Sequence, residues 1–465
     1  MKKLLTIVVA LVMVCSAVFA LAACGENLSG TAAVVAEASK MSLADLEAAS
    51  KAEMEASNDT FKVVGLTSVL DKMLKAFAEE YDWIKYGENT YVNNSYKDYQ
   101  LLSALDTAEK SYFADFALVQ DVRSMASIDG ELVHNYVPSD WQTLGLGEED
   151  LHPLKGVYFN KLFWTNSNFT NVTGQTLHNI WQLAGQLELD KDGKPVVENG
   201  KFKKSPAHDD YINNISFQSA ATEQINMSFL LSAEAPENQA RIEAAYKKFY
   251  NKDWSSETYA SAGQQWVTEF IANITRFHSS DGTAMKETQL KSDWEAGYVY
   301  YGAFAKMKDA VGKSYDIPAG ATIGVDILEG LKGSDGKVNA MDTVKWDWQI
   351  DGFNGFMYAM CSQIVNNAKH PYTACLYAHF LATRTAYEGA IYNNALPAED
   401  GSKGTIKVNQ YGYYFPASNT VTYAKGDWTR DKHIELELVE DFNFLGSVKI
   451  TQVNRILGLI SQNAH

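Results

Sequence analysis

The chain is 465 residues long, sets 57 acidic against 40 basic side chains for a formal net charge of −17, and is 46% hydrophobic. That length exceeds the usual single domain and points to two lobes or domains around sizeable cores. The acidic balance argues against nucleic acid, whose phosphates demand basic patches, and against broad adhesion to anionic membranes.

At the N-terminus, Lys2 and Lys3 precede an apolar run from Leu4 to Ala23 that closes on small residues. This is the layout of a secretory signal, although the run is also long enough for an uncleaved anchor helix. No second apolar run approaches spanning length, so the rest of the chain is expected to be soluble. From Gly25 to about Lys40 there is no strong periodicity, and the stretch reads as a tether. Met41 to Ser57 reads as a helix with Ser42 as its N-cap.

Strands and helices then alternate. Phe61 to Leu66 is a short apolar strand, and Val69, Leu70, Met73, Leu74 and Phe77 form the stripe of an amphipathic helix. Tyr91 to Asn94 reads as a strand, Lys97 to Lys110 as a helix, Asp115 to Val119 as a strand, and a helix follows from Val122. Such alternation predicts an α/β fold with a parallel sheet covered by helices, whose ligand crevice lies beyond the carboxyl ends of the strands. Thr67, Ser68, Asn94, Gln120 and Asp121 fall at those ends and are candidate ligand-binding residues.

From about Gly156, GVYFNKLFWTNSN reads as a long strand, and Leu187 to Lys204 as a surface hairpin with turns at Asp192-Gly193 and Asn199-Gly200. Asp190 and Asp192 resemble the start of a calcium loop, but the later ligands are missing. NISFQSAATEQINMSFLL is strand, turn and helix, with Ser219 and Thr222 at the turn as further candidates. Glu234 to Lys291 reads as mainly helical, and WEAGYVYYGAFAKMK as a short strand into a helix. Beyond Cys15 and Cys24, the chain has Cys361 and Cys375, for which a disulfide and two buried thiols are both open readings. There is no GxSxG, HExxH or P-loop, and the histidines are scattered singly. An enzyme is therefore not expected, nor a cofactor or metal; the rival reading is a tethered glycan hydrolase with carboxylates paired in space.

Leu21-Ala22-Ala23-Cys24-Gly25 resembles the bacterial lipoprotein signal, in which the chain is cut before the cysteine and lipid is attached to it. Four further stretches, in order, resemble the solute-binding proteins of bacterial ABC importers, in the type II group that includes ferric-ion and polyamine binders. They are LEAASKAEMEASNDTFKVVGLTS, ADFALVQDV, GVYFNKLFWTNSN and NNAKHPYTACLYAHFLAT. The resemblance implies two lobes, each a sheet flanked by helices, joined by crossover strands and closing on a small molecule for delivery to a membrane permease. It also implies a monomer anchored outside the cytoplasm through Cys24. The boundaries that follow are signal 1–23, tether and leading helix 24–58, lobe 1 over 59–155 plus about 350–395, and lobe 2 over 156–349 plus about 396–465.

The family's ligand residues carry over unevenly. Ferric binders use adjacent tyrosines; Tyr300 and Tyr301 are adjacent here, but two positions closer to Gly297 than that pattern. No histidine or carboxylate stands at Thr67-Ser68 to complete an iron site. Polyamine binders place an aspartate where this chain has Met360; Asp351 is either its substitute or a turn residue before Gly352. Where the family often holds an anion on a Thr-Ser-Gly-Thr-like run, this chain has Thr222-Glu223-Gln224-Ile225, and Glu223 opposes a second negative charge there. The expected ligand is a neutral polar or cationic organic solute, with ferric ion and polyamine as alternatives.

Overall fold

A computed structural model describes residues 30–463 apart from 66–68, 97, 121, 127, 192–193, 200, 206–209, 289, 304–343, 346–347, 384–385, 387–413 and 420–429. In chain order its strands are β1 (Phe61–Gly65), β2 (Thr90–Asn93), β3 (Phe116–Val119), β4 (Val133–His134), β5 (Lys155–Asn166), β6 (Val197–Glu198), β7 (Lys201–Phe202), β8 (Ile215–Gln218), β9 (Arg276–His278), β10 (Val299–Ala303), β11 (Val344–Lys345), β12 (Gly355–Val365), β13 (Tyr414–Pro416) and β14 (Leu438–Val439). All but the β6–β7 hairpin join one sheet, whose main path is β2-β1-β3-β12-β5-β10-β8-β9.

Two long strands hold that path together. β5 and β12 are antiparallel, pairing Leu162 with Gly355 through to Lys155 with Cys361, and every residue of both is buried. Strands buried on both faces read as continuous apolar runs, which is why GVYFNKLFWTN stood out. β1, β2 and β3 are mutually parallel and attach through β3 to the late half of β12. β8, β9 and β10 are mutually parallel and attach through β10 to the late half of β5. The two parallel groups therefore hang on opposite ends of the same antiparallel pair, and their carboxyl ends both point toward its middle. This is a two-lobed α/β architecture.

Each group is covered by helices placed by apolar packing. In the first, Tyr377 of the Pro371–Leu381 helix meets Phe61, Phe77 and Phe116 edge-on, with ring centroids 4.8–6.0 Å apart. Such tilted contacts add to burial because aromatic edges and faces carry opposite partial charge. In the second, Phe163, Phe217, Phe229, Phe270 and Tyr301 form one cluster, with Tyr301 stacked 4.4 Å from Phe229.

The turn before the Pro371–Leu381 helix is fixed by Asp115. Its fully buried carboxylate accepts from the amides of Lys62, Lys369 and His370 at 2.7–2.9 Å, and from the Tyr112 hydroxyl at 3.0 Å. The Ala368-Lys369-His370-Pro371 turn thus lies at the amino end of β3, opposite the strand ends where a ligand would sit.

The leading helix forms over Leu43–Ala56, with Ser42 Oγ accepting from Asp45 N at 3.2 Å. Glu53 on this helix accepts from Tyr372 N, Thr373 N and Thr373 Oγ1, satisfying the free amides that begin the Pro371–Leu381 helix. The stretch expected as a loose tether up to Lys40 is partly structured. Gly30–Ala38 is helical, buries Val35 and Ala38, and is held by a hydrogen bond from Tyr372 to Glu37 at 3.0 Å. Its small side chains carry little periodic signal, and tertiary packing decides the matter. β9 was also not expected within the mainly helical reading of 234–291; three residues are too short for an alternation to register. Cys361 and Cys375 are free and buried.

Candidate functional site

The site is built where the two sets of strand ends converge. From the first lobe come Asn94 after β2, Gln120 after β3, and Arg123 in the first turn of the Val122–Met125 helix. From the second come the Ser219–Glu223 turn after β8, the Ser279–Asp281 turn after β9, and Gly302 and Ala303 closing β10. Arg123 Nη2 donates to Gln224 Oε1 at 2.6 Å, so the first turns of two helices on opposite lobes touch directly.

The second lobe's wall is centred on Lys161. This lysine lies in β5, opposite Ala303 of β10, and is only 2% exposed. Its ammonium donates to Asn226 Oδ1 at 3.0 Å and lies 3.4 Å from Asp281 Oδ2 and 4.0 Å from Glu223 Oε1. Burying a lysine is costly unless its charge is matched, and here two carboxylates and an amide supply the match. Asp281 opens the Asp281–Glu287 helix behind Ser280, which caps it by accepting from Thr283 N. A Cβ on Gly302 would lie 2.6 Å from Asp281 Oδ1, so the glycine is what lets that carboxylate rest on the end of β10. Gln218 Nε2 donates to Ser279 O at 3.2 Å. His278 Nδ1 donates to Ser280 O at 2.9 Å, and burial holds its imidazole below the usual basicity.

No protein-family model matches the chain, and no curated protein matches it in sequence. Solved structures do match. A periplasmic binding protein, AfuA, from Actinobacillus pleuropneumoniae with exogenous fructose-6-phosphate bound aligns at TM-score 0.51 and 10% identity, covering 87% of this chain and 99% of that one. The apo ferric ion-binding protein A of Pasteurella haemolytica aligns at 0.50 and 11% identity, covering 88% and 98%. The chain has the fold of the two-lobed periplasmic solute-binding proteins. At such identity the likeness carries the fold alone.

Against that binding-protein fold, the sequence-predicted residues divide. Asn94 and Gln120 are half-buried at the strand ends where they were expected. Ser219 and Thr222 are at the turn, but both serve it: Ser219 Oγ accepts from Ala221 N at 3.2 Å, and Thr222 Oγ1 donates to Ser219 O at 3.1 Å. Thr67, Ser68, Asp121 and Cys24 lie outside the described residues.

Tyr300 and Tyr301 need correction. They sit within β10 and are completely buried, not exposed on a cleft wall. Tyr300 donates to Asp293 and stacks on Trp164 at 4.6 Å, while Tyr301 belongs to the phenylalanine cluster. Burial pushes both phenols well above their ordinary pKa, the opposite of what a phenolate metal ligand needs. Asp351 is also displaced from the expected role. It precedes β12 away from the strand ends, pairs with Lys248 Nζ at 2.6 Å, and bridges its backbone to Asn179. It is the turn residue before Gly352, whose φ of +96° and contact with Ile180 exclude a side chain. Met360 is buried in β12.

A cavity of about 610 Å³ lies beside the crossover strands, lined by Glu148–Asp150, Lys155, Tyr158, Glu237, Arg241, Arg430 and Glu437 among others. Its cations are engaged in holding the structure. Arg241 donates to the carbonyls of Gly352, Glu435 and Glu437, Lys155 donates to Glu149 O, and Arg430 pairs with Asp150. The strand ends are therefore the candidate site for ligand chemistry. Among the described residues, no group of three or more His, Cys, Asp or Glu could hold a metal ion.

Proposed function

We propose that the protein is the lipid-anchored, extracytoplasmic solute-binding subunit of an ABC importer, capturing a small neutral polar or cationic organic solute by hinge closure. Lobe 1 would comprise 59–155 plus about 350–395, and lobe 2 would comprise 156–349 plus about 396–465. The observation that carries this reading is the Arg123–Gln224 contact between helix starts at the facing strand ends of two parallel groups that are joined through β5 and β12. Such a joint lets ligand contacts made to both lobes drive closure, and a permease can then read the closed form. The two solved relatives above are named for a sugar phosphate and for ferric ion. Glu223 at the start of the Gln224–Ala233 helix disfavours an anion of the first kind, and the buried phenols of Tyr300 and Tyr301 disfavour the second.

A thermal-melt screen over amines, sugars, sugar phosphates, amino acids and ferric salts tests the binder role, because a ligand that favours the folded state raises apparent stability. One solute class should raise the melting temperature. No shift with any, together with turnover of a glycan, would sink the reading in favour of a hydrolase. Anchoring is tested separately by labelling cells with a tagged fatty acid. Label should enter the wild type and vanish in Cys24→Ser, which should also be shed into the medium.

A further inference from the structure

The strand-end wall of lobe 2 holds more acceptor capacity than the protein uses. Asp281 Oδ1 and Gln218 Oε1 are both buried, and neither has a hydrogen-bond partner among the described residues. Gln218 is 8% exposed, so water does not routinely satisfy its carbonyl. The two residues belong to one patch. Gln218 ends β8 beside β10, where the register pairs Phe217 with Tyr301 and brings Gly302 level with Gln218. Asp281 Oδ1 rests against that same Gly302. Tyr301 lies next in β10, and its buried hydroxyl likewise has no partner among the described residues. An unmatched buried acceptor costs on the order of 1–3 kcal/mol, and more when charged, so two in one patch call for a donor.

The local charge says which donor. On this wall the Lys161 ammonium faces two carboxylates, Asp281 and Glu223, leaving one negative charge in excess. The guanidinium of Arg123 belongs to the other lobe and is engaged with Gln224.

We propose that this wall seats a protonated amine of the solute, with Asp281 Oδ1 and Gln218 Oε1 each accepting an N–H. The site opens when the lobes part at the Arg123–Gln224 contact. Gly302 keeps the seat clear, and Lys161 holds the far oxygen of Asp281 so that the near one faces the amine. The inference rests on the binder reading and narrows its solute class to primary or secondary amines. A quaternary ammonium carries the charge but has no N–H to give.

Calorimetry and thermal melts on the full soluble chain with matched probes test it: ethanolamine against choline, 1,4-diaminobutane against 1,4-butanediol, and glucosamine against glucose. At least one primary amine should bind and its matched partner should not. Asp281→Asn should weaken that amine by about 10- to 100-fold, the loss expected for a hydrogen bond to a charged group. Gln218→Leu should weaken it by about 5- to 10-fold and stands in as the test should Asp281→Asn fail to fold. Binding of choline as tight as ethanolamine, or amine affinity unmoved by either variant, overturns the proposal. A neutral probe that binds while no amine does overturns it and leaves the binder reading intact. Silence from all six, with no shift in the wider solute screen, removes the binder reading itself.

Discussion

Glu269 offers a direct test of the electrostatics of the second lobe. It lies in the Ala262–Asn273 helix, is 2% exposed, accepts from Gln265 Nε2 at 2.9 Å, and has its second oxygen buried without a partner among the described residues. Desolvation pushes its pKa from an ordinary 4.5 to about 8, only partly offset by the Gln265 bond. Below the unfolded value both states hold the proton and the site costs nothing. Between the two values only the folded chain holds it, so stability falls as pH rises, by roughly 1.4 kcal/mol per unit. By pH 7 the accumulated cost is roughly 3 kcal/mol. Glu269→Gln keeps the shape and the Gln265 bond but cannot ionise, although its new amide N–H lacks a partner and returns about 1 kcal/mol. The variant should be slightly less stable than wild type at pH 4.5 and more stable at pH 7, with the gap widening until about pH 8. Urea unfolding across that range measures it. Parallel stability profiles for the two proteins would refute the assignment of a proton to Glu269.

Arg123→Met removes the donor that bridges the lobes, and scattering from the unliganded protein should show a larger radius of gyration; an unchanged value would mean that the contact does not hold the lobes together. Gly302→Ala places a Cβ 2.6 Å from Asp281 Oδ1, so solute affinity should fall by about tenfold or more with only a small loss of unliganded stability; unaltered affinity would separate Asp281 from the ligand. Glu53→Ala strips three hydrogen bonds from the start of the Pro371–Leu381 helix and should cost about 1–3 kcal/mol, with faster amide exchange over residues 30–56. Burial raises the pKa of Glu53 to about 7, so its docking should be firmest below pH 4.5 and weaken as pH rises to 7; exchange that ignores pH would contradict this.

Much of the scaffold could be read from the residues alone. Phe61–Gly65, Phe116–Val119 and the unbroken run of β5 carry apolar strand signals strong enough to survive any tertiary context, and their alternation with amphipathic helices implies the parallel groups. The proposed ligand wall was less legible. Asn160 and Lys161 interrupt the apolar and aromatic middle of β5, residues 156–164, and a charged residue inside a fully buried run is a local hint that something must answer it. Asp281, in Ser279-Ser280-Asp281-Gly282, reads as ordinary helix capping, and only the fold brings it across to Lys161 and Gly302. Tyr300 and Tyr301 misled because adjacency says nothing about depth: a paired motif on a strand flanked on both sides, by β5 and β8, becomes core. Asp351 misled for the complementary reason, since its nearness in sequence to β12 puts it just before that strand, away from the strand ends.

The helix at Gly30–Ala38 changes how the molecule can be presented at a surface. If Cys24 carries the proposed lipid, only the five residues Gly25–Ser29 would separate the anchor from a segment docked on the first lobe. Five residues reach at most about 18 Å when fully drawn out. Such a leash permits little wandering: the protein would patrol a thin shell above the bilayer, with the first lobe always the near one. A search for the transport channel then becomes nearly two-dimensional, and lengthening this stretch with flexible residues would dilute each encounter without touching the cleft.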